Sequence, residues 1–214
     1  MDHSTLAVKA PEERRQRILR ATIAVVQERG FAGTRVADIA QAAQTSQGLI
    51  LYHFGSLAGA FAASLILLED EFYEECEQRM SDAVGPVAKL RAIAELGAGQ
   101  GPAVGDWSLY MDLWVRAIRD ADARTARESL DRRWRSALST IINDGVAVGV
   151  FSPADPRAAV LRLTALMDGL AIQLALGDPG MTSQKYTDLW WDSAVLELRI
   201  GADDDRINEP GLGN

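Results

Sequence analysis

An all-α fold is predicted by three features of the sequence. Apolar residues recur at helical spacing along most of the chain. Pro, Ser, Thr and Asp stand where helices start, and Gly where they stop. Runs that alternate apolar and polar residues, the mark of a strand, are scarce. At 214 residues, 48% of them hydrophobic, the chain can bury a real core.

The elements follow in order. Residues 1–10 read as a flexible arm. Pro11 suits a first helical turn, with Glu12 and Glu13 at the positive end of the helix dipole. Ile18, Ala21, Thr22, Val25 and Val26 then share one face, and Gly30 ends the helix. A short helix follows with Thr34 as N-cap and Val36, Ile39, Ala40 and Ala43 on one face. A third opens after Ser46, reaches about Tyr52 and breaks at Gly55-Ser56. A long helix from Leu57 runs to about Val84. The next spans Pro86 to Leu96, and Gly97 to Gly105 reads as a loop. Helices are expected at Asp106 to Asp120, at Arg124 to Asp144, from Ser152-Pro153 to Leu176, and at Ser183 to about Arg199. Gly145 and Gly149 flank a short turn ending at Phe151. The acidic segment 201–214 reads as a flexible tail.

Composition narrows the classes. A single cysteine, Cys76, cannot form an internal disulfide, which fits a reducing, cytoplasmic setting. No secretory leader opens the sequence. The longest apolar run, Gly59 to Leu68, is shorter than the roughly 20 residues of a membrane span. The net charge of −8 suits a nucleic-acid binder poorly when taken whole, but it is uneven. The first 57 residues hold seven bases and five acids, leaving fifteen bases and twenty-five acids beyond them. A mildly basic head precedes an acidic body.

Only Gln44-Thr45-Ser46 separates the second and third short helices. That is helix-turn-helix spacing, which serves DNA-binding heads and ordinary helical corners alike. The residues around it are more specific. Gly30-Phe31-Ala32-Gly33-Thr34-Arg35-Val36-Ala37-Asp38-Ile39-Ala40 and Ser46-Gln47-Gly48-Leu49-Ile50-Leu51-Tyr52-His53-Phe54-Gly55-Ser56 resemble the DNA-binding domain of the tetracycline-repressor (TetR) family. The likeness covers about Arg14 to Phe72, and the Gly-Leu-Ile and Phe-Gly-Ser pieces resemble its betaine-repressor (BetI-like) branch. It implies a three-helix DNA-binding domain at 11–56, with similarity to about 72. A larger helical ligand-binding and dimerisation domain at 57–200 would follow.

Each position has a physical role under this reading. Thr34 and Arg35 stand at a helix start, where N–H groups and a hydroxyl can hold phosphate. Ser46 and Gln47 open the recognition helix, and the Gln47 amide suits an adenine edge. Gly48 lets a backbone approach DNA or a neighbouring helix. Leu49 faces outward if Ile50 and Phe54 face inward, and could touch a thymine methyl. Tyr52, His53 and Ser56 can reach phosphates. The family often has Gly at Gln44, an aromatic at Leu51 and lysine at Leu57, so turn geometry and one phosphate contact differ here. Arg14, Arg15, Arg17 and Arg35 are further phosphate candidates, and Lys9 could lie in a minor-groove arm.

In the body, Trp107, Tyr110, Met111 and Trp114 recur at helical spacing, and Trp134 and Leu138 lie one turn apart. Met167, Leu170 and Gln173 join them as candidate pocket residues, with Asp112, Arg116 and Gln173 as polar anchors; the same residues could be plain core. The resemblance implies a small, largely apolar inducer. It also implies that the last two long helices pair with a second copy in a four-helix interface. Leu161, Ala165, Ile172, Trp190, Trp191, Ala194, Val195 and Leu198 are the expected contacts.

Two rival classes remain, a helical protein-binding adaptor and a metal-free enzyme. Two histidines and one cysteine are too few for a usual zinc site. No nucleotide-loop or nucleophile-elbow motif appears. No cofactor, metal or catalytic residue is expected. The reading is a cytoplasmic homodimeric repressor on a palindromic operator, released by a small molecule.

Overall fold

The computed structural model describes residues 3–99 and 107–201, with side chains from Glu12 onward. Among the described residues the regular structure is helical throughout. The helices are α1 (His3–Gly33), α2 (Val36–Ala42), α3 (Gln47–Phe54), α4 (Leu57–Asp82), α5 (Gly85–Gly97), α6 (Trp107–Ala117), α7 (Ala121–Ala147), α8 (Pro156–Ala175) and α9 (Ser183–Leu198). The expected tail lies outside the described residues beyond Gly201, as does much of the expected loop after Gly97.

Several boundaries differ from the sequence reading, each for a local reason. α1 begins at His3 rather than Pro11, so the stretch expected as an arm is helical from residue 3. Ala, Leu and Lys in that stretch are good helix formers. Gly30 still breaks the helix, with φ 69° and ψ 160°, and a last short turn follows to Gly33. α2 starts after Arg35, not Thr34, because the Asp38 carboxylate accepts the Arg35 backbone N–H at 2.9 Å. The Thr34 hydroxyl instead donates back to the Gly30 carbonyl at 2.8 Å. α7 starts earlier than expected, since the Asp120 carboxylate accepts from Asp122 and Ala123 N–H groups at 2.9 and 3.1 Å. α8 starts at Pro156, capped by Asp155, which accepts from Arg157 and Ala158.

The chain forms two compact units. The first takes residues up to Glu71 together with the segment that ends at Leu130. The second takes the stretch from Phe72 through α5, and the chain from Asp131 onward. This division differs from a cut at 56/57, because α6 and the first part of α4 group with the three N-terminal helices.

The first unit has two apolar clusters. One joins Ile18, Ala21 and Val25 of α1, Ile39 and Ala40 of α2 with Ala43 beside them, Ile50 of α3 and Ala60 of α4. The other joins Ile23, Val26, Phe61, Leu65, Leu68, Leu109, Leu113, Ala117, Ala123 and Leu130. The face expected on α1 is thus the buried one. Burying a side chain such as Ile50 stabilises the fold by about 1.5–3 kcal/mol, and here it fixes which side of α3 is left outside.

In the second unit, Tyr73, Cys76 and Leu96 pack with Phe72, Met80, Trp134 and Ala137. Trp190 is fully buried, and its Nε1–H donates to the Leu163 carbonyl at 3.0 Å. Gly145 makes room for Phe151, whose ring would lie 1.9 Å from an added Cβ. By length and composition α8 could cross a membrane, although Arg162, Asp168 and Gln173 interrupt its apolar run. In this unit its Ala159, Val160, Leu163, Thr164, Met167, Leu170 and Ala171 are buried.

Candidate functional site

The α2–α3 corner is built by its caps. α2 ends with Thr45 N–H on the Ala40 carbonyl at 2.9 Å and Gln44 N–H on the Gln41 carbonyl at 3.2 Å. This is the Schellman pattern, which places one residue in the left-handed region. That residue is Gln44, at φ 50°. Ser46 then caps α3 as expected, its hydroxyl accepting from Leu49 N–H at 3.2 Å. Gly55 ends α3 at φ 72°, and the Ser56 hydroxyl accepts from Gly59 N–H at 3.0 Å to start α4. Gly59 was missed in the sequence. An added Cβ there would lie 2.1 Å from the Phe54 carbonyl oxygen, so glycine holds α3 and α4 at this distance.

Burial sorts the α3 residues. Ile50 is fully buried and Phe54 packs beside the same cluster. Ser46, Gln47 and Gly48 are exposed, Leu51 is 45% exposed and Tyr52 82%. Leu49, expected to face outward, is half-buried; the outward leucine is Leu51. A helix advances 100° per residue, so residues four apart share a face, and Leu51 lies one turn beyond Gln47. His53 is half-buried, its ring 5.3 Å from that of Tyr52. Thr34 is 5% exposed, and its hydroxyl proton is committed to Gly30. Arg35 is exposed.

Several arginines have internal partners. Arg17 Nε–H donates to the Ala43 carbonyl at 3.1 Å, satisfying the end of α2. Arg20 forks onto Glu71, and Arg29 pairs with Asp38 at 3.0 Å. Arg15 lies near Glu12 at 3.7 Å and 5.7 Å from the Phe54 ring centre.

The candidate pocket residues fall in both units. In the first, Trp107, Tyr110, Met111 and Trp114 are half-buried on α6, with Trp107 5.5 Å from Tyr110 and 6.4 Å from Trp114, ring to ring. The deeply buried stripe of α6 is instead Leu109, Leu113 and Ala117. Burial raises the Tyr110 hydroxyl pKa, and the nearby Glu69 charge adds to this. The two polar anchors expected on α6 are occupied. Asp112 accepts the Phe31 N–H at 2.9 Å. Arg116 lies 3.9 Å over the Phe31 ring and donates to Asp120 at 3.2 Å.

In the second unit, Leu138, Met167 and Leu170 are buried and Trp134 half-buried. Trp134 stands 5.4 Å from Phe72 and 6.4 Å from Tyr73, ring to ring. Gln173 is exposed on α8, so it does not join these residues. Tyr186 was missed. It is fully buried, its hydroxyl has no hydrogen-bond partner among the described residues, and it faces Gly97 beside Met167. Burial raises its pKa, with Asp168 adding to the effect.

The interface residues also need correction. Trp190, Ala194 and Leu198 are fully buried within this chain, and Trp191 is 8% exposed beneath Arg91, 4.1 Å away. Their helical repeat marks core, not an outer face. Leu161 is 56% exposed and Ala165 is exposed, while Ile172 and Val195 are half-buried. Leu176 at 72%, Leu189 at 38% and Leu196 at 80% are outward residues the sequence reading did not include.

Comparison with known proteins agrees with this geometry. Residues 18–63 match the model of bacterial regulatory proteins of the tetR family. Residues 86–192 match that of the BetI-type transcriptional repressor C-terminal domain. The HTH-type transcriptional regulator BetI of Paraburkholderia xenovorans is 32% identical over 178 residues, covering 78% of this chain and 85% of that one. The protein of the same name from Burkholderia ambifaria is 29% identical over 201 residues, covering 90% and 96%. A structure described as a transcriptional regulator from Saccharomonospora viridis, in complex with choline, superposes with a TM-score of 0.77. It is 26% identical and covers 88% of this chain and 98% of that one.

Proposed function

Because the chain belongs to the TetR family of bacterial transcriptional regulators, with a BetI-type C-terminal domain, we propose that it is a homodimeric repressor that reads a palindromic operator through α3. The observation that carries this reading is the split of α3. Ile50 and Phe54 anchor it, while Gln47, Gly48, Leu51 and Tyr52 stand outside on a helix start capped by Ser46. Gln47 presents its amide to a base edge. Ser46, Tyr52, His53, Ser56 and Arg35 serve phosphates, and Thr34 contributes through backbone geometry more than through its hydroxyl. Two-fold symmetry then sets half-sites roughly 34–36 Å apart, or a multiple of that.

The second copy docks on the exposed apolar residues of α8 and α9, with Leu161, Ala165, Leu176, Leu189 and Leu196 as its contacts. Ile172 and Val195 stand at their edge. A small-molecule inducer binds the C-terminal domain and favours a state with lower operator affinity. Choline is the first compound to test. The Saccharomonospora viridis protein was solved with it, and aromatic faces such as Phe72 and Trp134 suit a quaternary ammonium. Operator binding rather than catalysis is the activity, and the cytoplasm is its place.

The test is selection of bound duplexes from a random pool, followed by titration of the winner across salt. An enriched palindrome with salt-dependent affinity is expected. Failure to enrich any sequence, or to bind duplex even at low salt, would leave a protein-binding helical adaptor as the better reading. Leu196→Asp should give monomers by sedimentation; a persistent dimer would place the interface elsewhere. Trp191→Asp, by contrast, should unfold the chain.

A further inference from the structure

We infer that the Tyr186 hydroxyl is the polar anchor of the inducer site. It donates to an acceptor oxygen of the bound molecule, in the space now filled by the end of the Met167 side chain. The inference rests on the inducer reading above and names the group that the C-terminal domain selects.

The hydroxyl carries the first half of the argument. Other buried donors in the core of α8 and α9 are paired. Trp190 Nε1–H donates to the Leu163 carbonyl at 3.0 Å, the Thr164 hydroxyl to the Val160 carbonyl at 2.8 Å and the Thr187 hydroxyl to the Ser183 carbonyl at 3.1 Å. Tyr186 is fully buried, yet its hydroxyl has no hydrogen-bond partner among the described residues. A phenylalanine would fill the same space without stranding a polar group. Burial and the Asp168 charge keep the hydroxyl protonated, so the missing partner is an acceptor. Trp107 Nε1–H also lacks a partner among the described residues, but Trp107 is only half-buried and adjoins residues outside them.

The surroundings carry the second half. An added Cβ at Gly97 would lie 2.8 Å from the Tyr186 hydroxyl oxygen and 3.1 Å from both Sδ and Cε of Met167. The hydroxyl and the thioether end therefore meet at the last residue of α5. A buried water needs about two to four polar partners, and a thioether beside a glycine offers few. Methionine is unbranched and flexible, so its end swings aside for a ligand where a stiff side chain would not. Leu96, the residue before Gly97, packs in the cluster that holds Phe72 and Trp134. The rings and the hydroxyl thus border adjacent residues of one helix. Choline presents a group to each, a trimethylammonium for the ring faces and an oxygen for the hydroxyl.

The test is calorimetric titration of the full chain with choline and with propyltrimethylammonium, which carries CH3 in place of the choline OH. The wild type should bind choline about 10-fold more tightly, as expected for a hydrogen bond that satisfies a buried donor. Tyr186→Phe should bind the two alike, at about the wild-type affinity for the propyl compound. Without ligand its Tm should equal or exceed that of the wild type, because a stranded group is gone. Equal affinity of the wild type for the two compounds overturns the inference, as does a Tyr186→Phe variant that still prefers choline. A lower Tm for Tyr186→Phe overturns it too, since the hydroxyl is then already satisfied in the free protein. Binding of both compounds without discrimination leaves the choline reading standing. Binding of neither removes that reading and this inference together.

Discussion

Gln44 holds the turn of the helix-turn-helix in a conformation that suits glycine, and replacing it tests how the corner is built. Its φ of 50° puts Cβ close to the following carbonyl, at a cost of about 1–2 kcal/mol for a residue with a side chain. Gln44→Gly removes that strain. It also loosens the unfolded chain, which returns about 0.4–1 kcal/mol. The net gain is about 0.5–1 kcal/mol. For a chain of 214 residues that is a rise in Tm of about 1–4 °C. Scanning calorimetry on Gln44→Gly, Gln44→Asn and Gln44→Val should rank them Gly, then Asn, then wild type, then Val, since a β-branched side chain tolerates this region least. The two hydrogen bonds that close the turn, from Thr45 and Gln44 N–H, involve backbone alone. Operator affinity of the glycine variant should therefore stay within about 2-fold, less than the cost of one good base contact. A Tm below wild type for Gln44→Gly would refute the reasoning.

Three further outcomes follow from close contacts. Gly59→Ala should destabilise by about 1–3 kcal/mol in urea unfolding, because its Cβ would lie 2.1 Å from the Phe54 carbonyl and backbone must move. Gly33→Ala, whose Cβ would meet Arg29 at 3.5 Å, should be neutral or stabilising. Asp112→Ala should cost about 1.5–3 kcal/mol, the worth of a hydrogen bond to a charged group, by stranding the Phe31 N–H; a loss under about 0.5 kcal/mol would mean water replaces the carboxylate. Cys76 is buried, and burial together with Glu75 pushes its thiol up to about 12. At pH 8 roughly one molecule in ten thousand carries the reactive thiolate, so a thiol reagent should label it far more slowly in the native protein than in denaturant. Labelling of the native protein should rise with pH; fast labelling at pH 7 would contradict its burial.

The sequence was most informative where one residue decides a local outcome. The buried face of α1, the opening of α3 after Ser46 and the breaks at Gly30 and Gly55-Ser56 were all readable, because periodicity and capping chemistry are local. Boundaries went astray where a carboxylate one or more residues away captured the first N–H groups, as Asp38 does for α2 and Asp155 for α8. Periodicity also shows that a face is buried without saying by what. On α9 the repeat of Trp191, Ala194, Val195 and Leu198 suggested a partner copy, yet α8 and α5 of the same chain cover most of it. On α6 the large aromatic residues drew attention, while the deepest contacts come from Leu109, Leu113 and Ala117. Gly59 and Tyr186 left no local signal. Their importance comes from a carbonyl and a glycine supplied by other helices.

Charge pairing bears on how strongly this head can hold DNA. Seven bases lie in the first 57 residues, but Arg20 faces Glu71, Arg29 faces Asp38, and Arg15 lies by Glu12. Arg17 is tied to the Ala43 carbonyl. Exposed pairs of this kind are weak and can open. Their carboxylates still remain nearby and offset the charge a phosphate would feel. Arg14 and Arg35, with Lys9 outside the described side chains, are the cations with most to give, which is about four to six charges for a dimer. Counterion release then predicts a slope of log K against log salt of about −4 to −5, at roughly −0.9 per neutralised phosphate. Arg35→Ala should flatten the slope by about 2, one unit per subunit, while leaving base preference unchanged. A wild-type slope near −10 would mean that the paired arginines give up their carboxylates on DNA. It would also show that the acidic composition of the chain says little about its operator affinity.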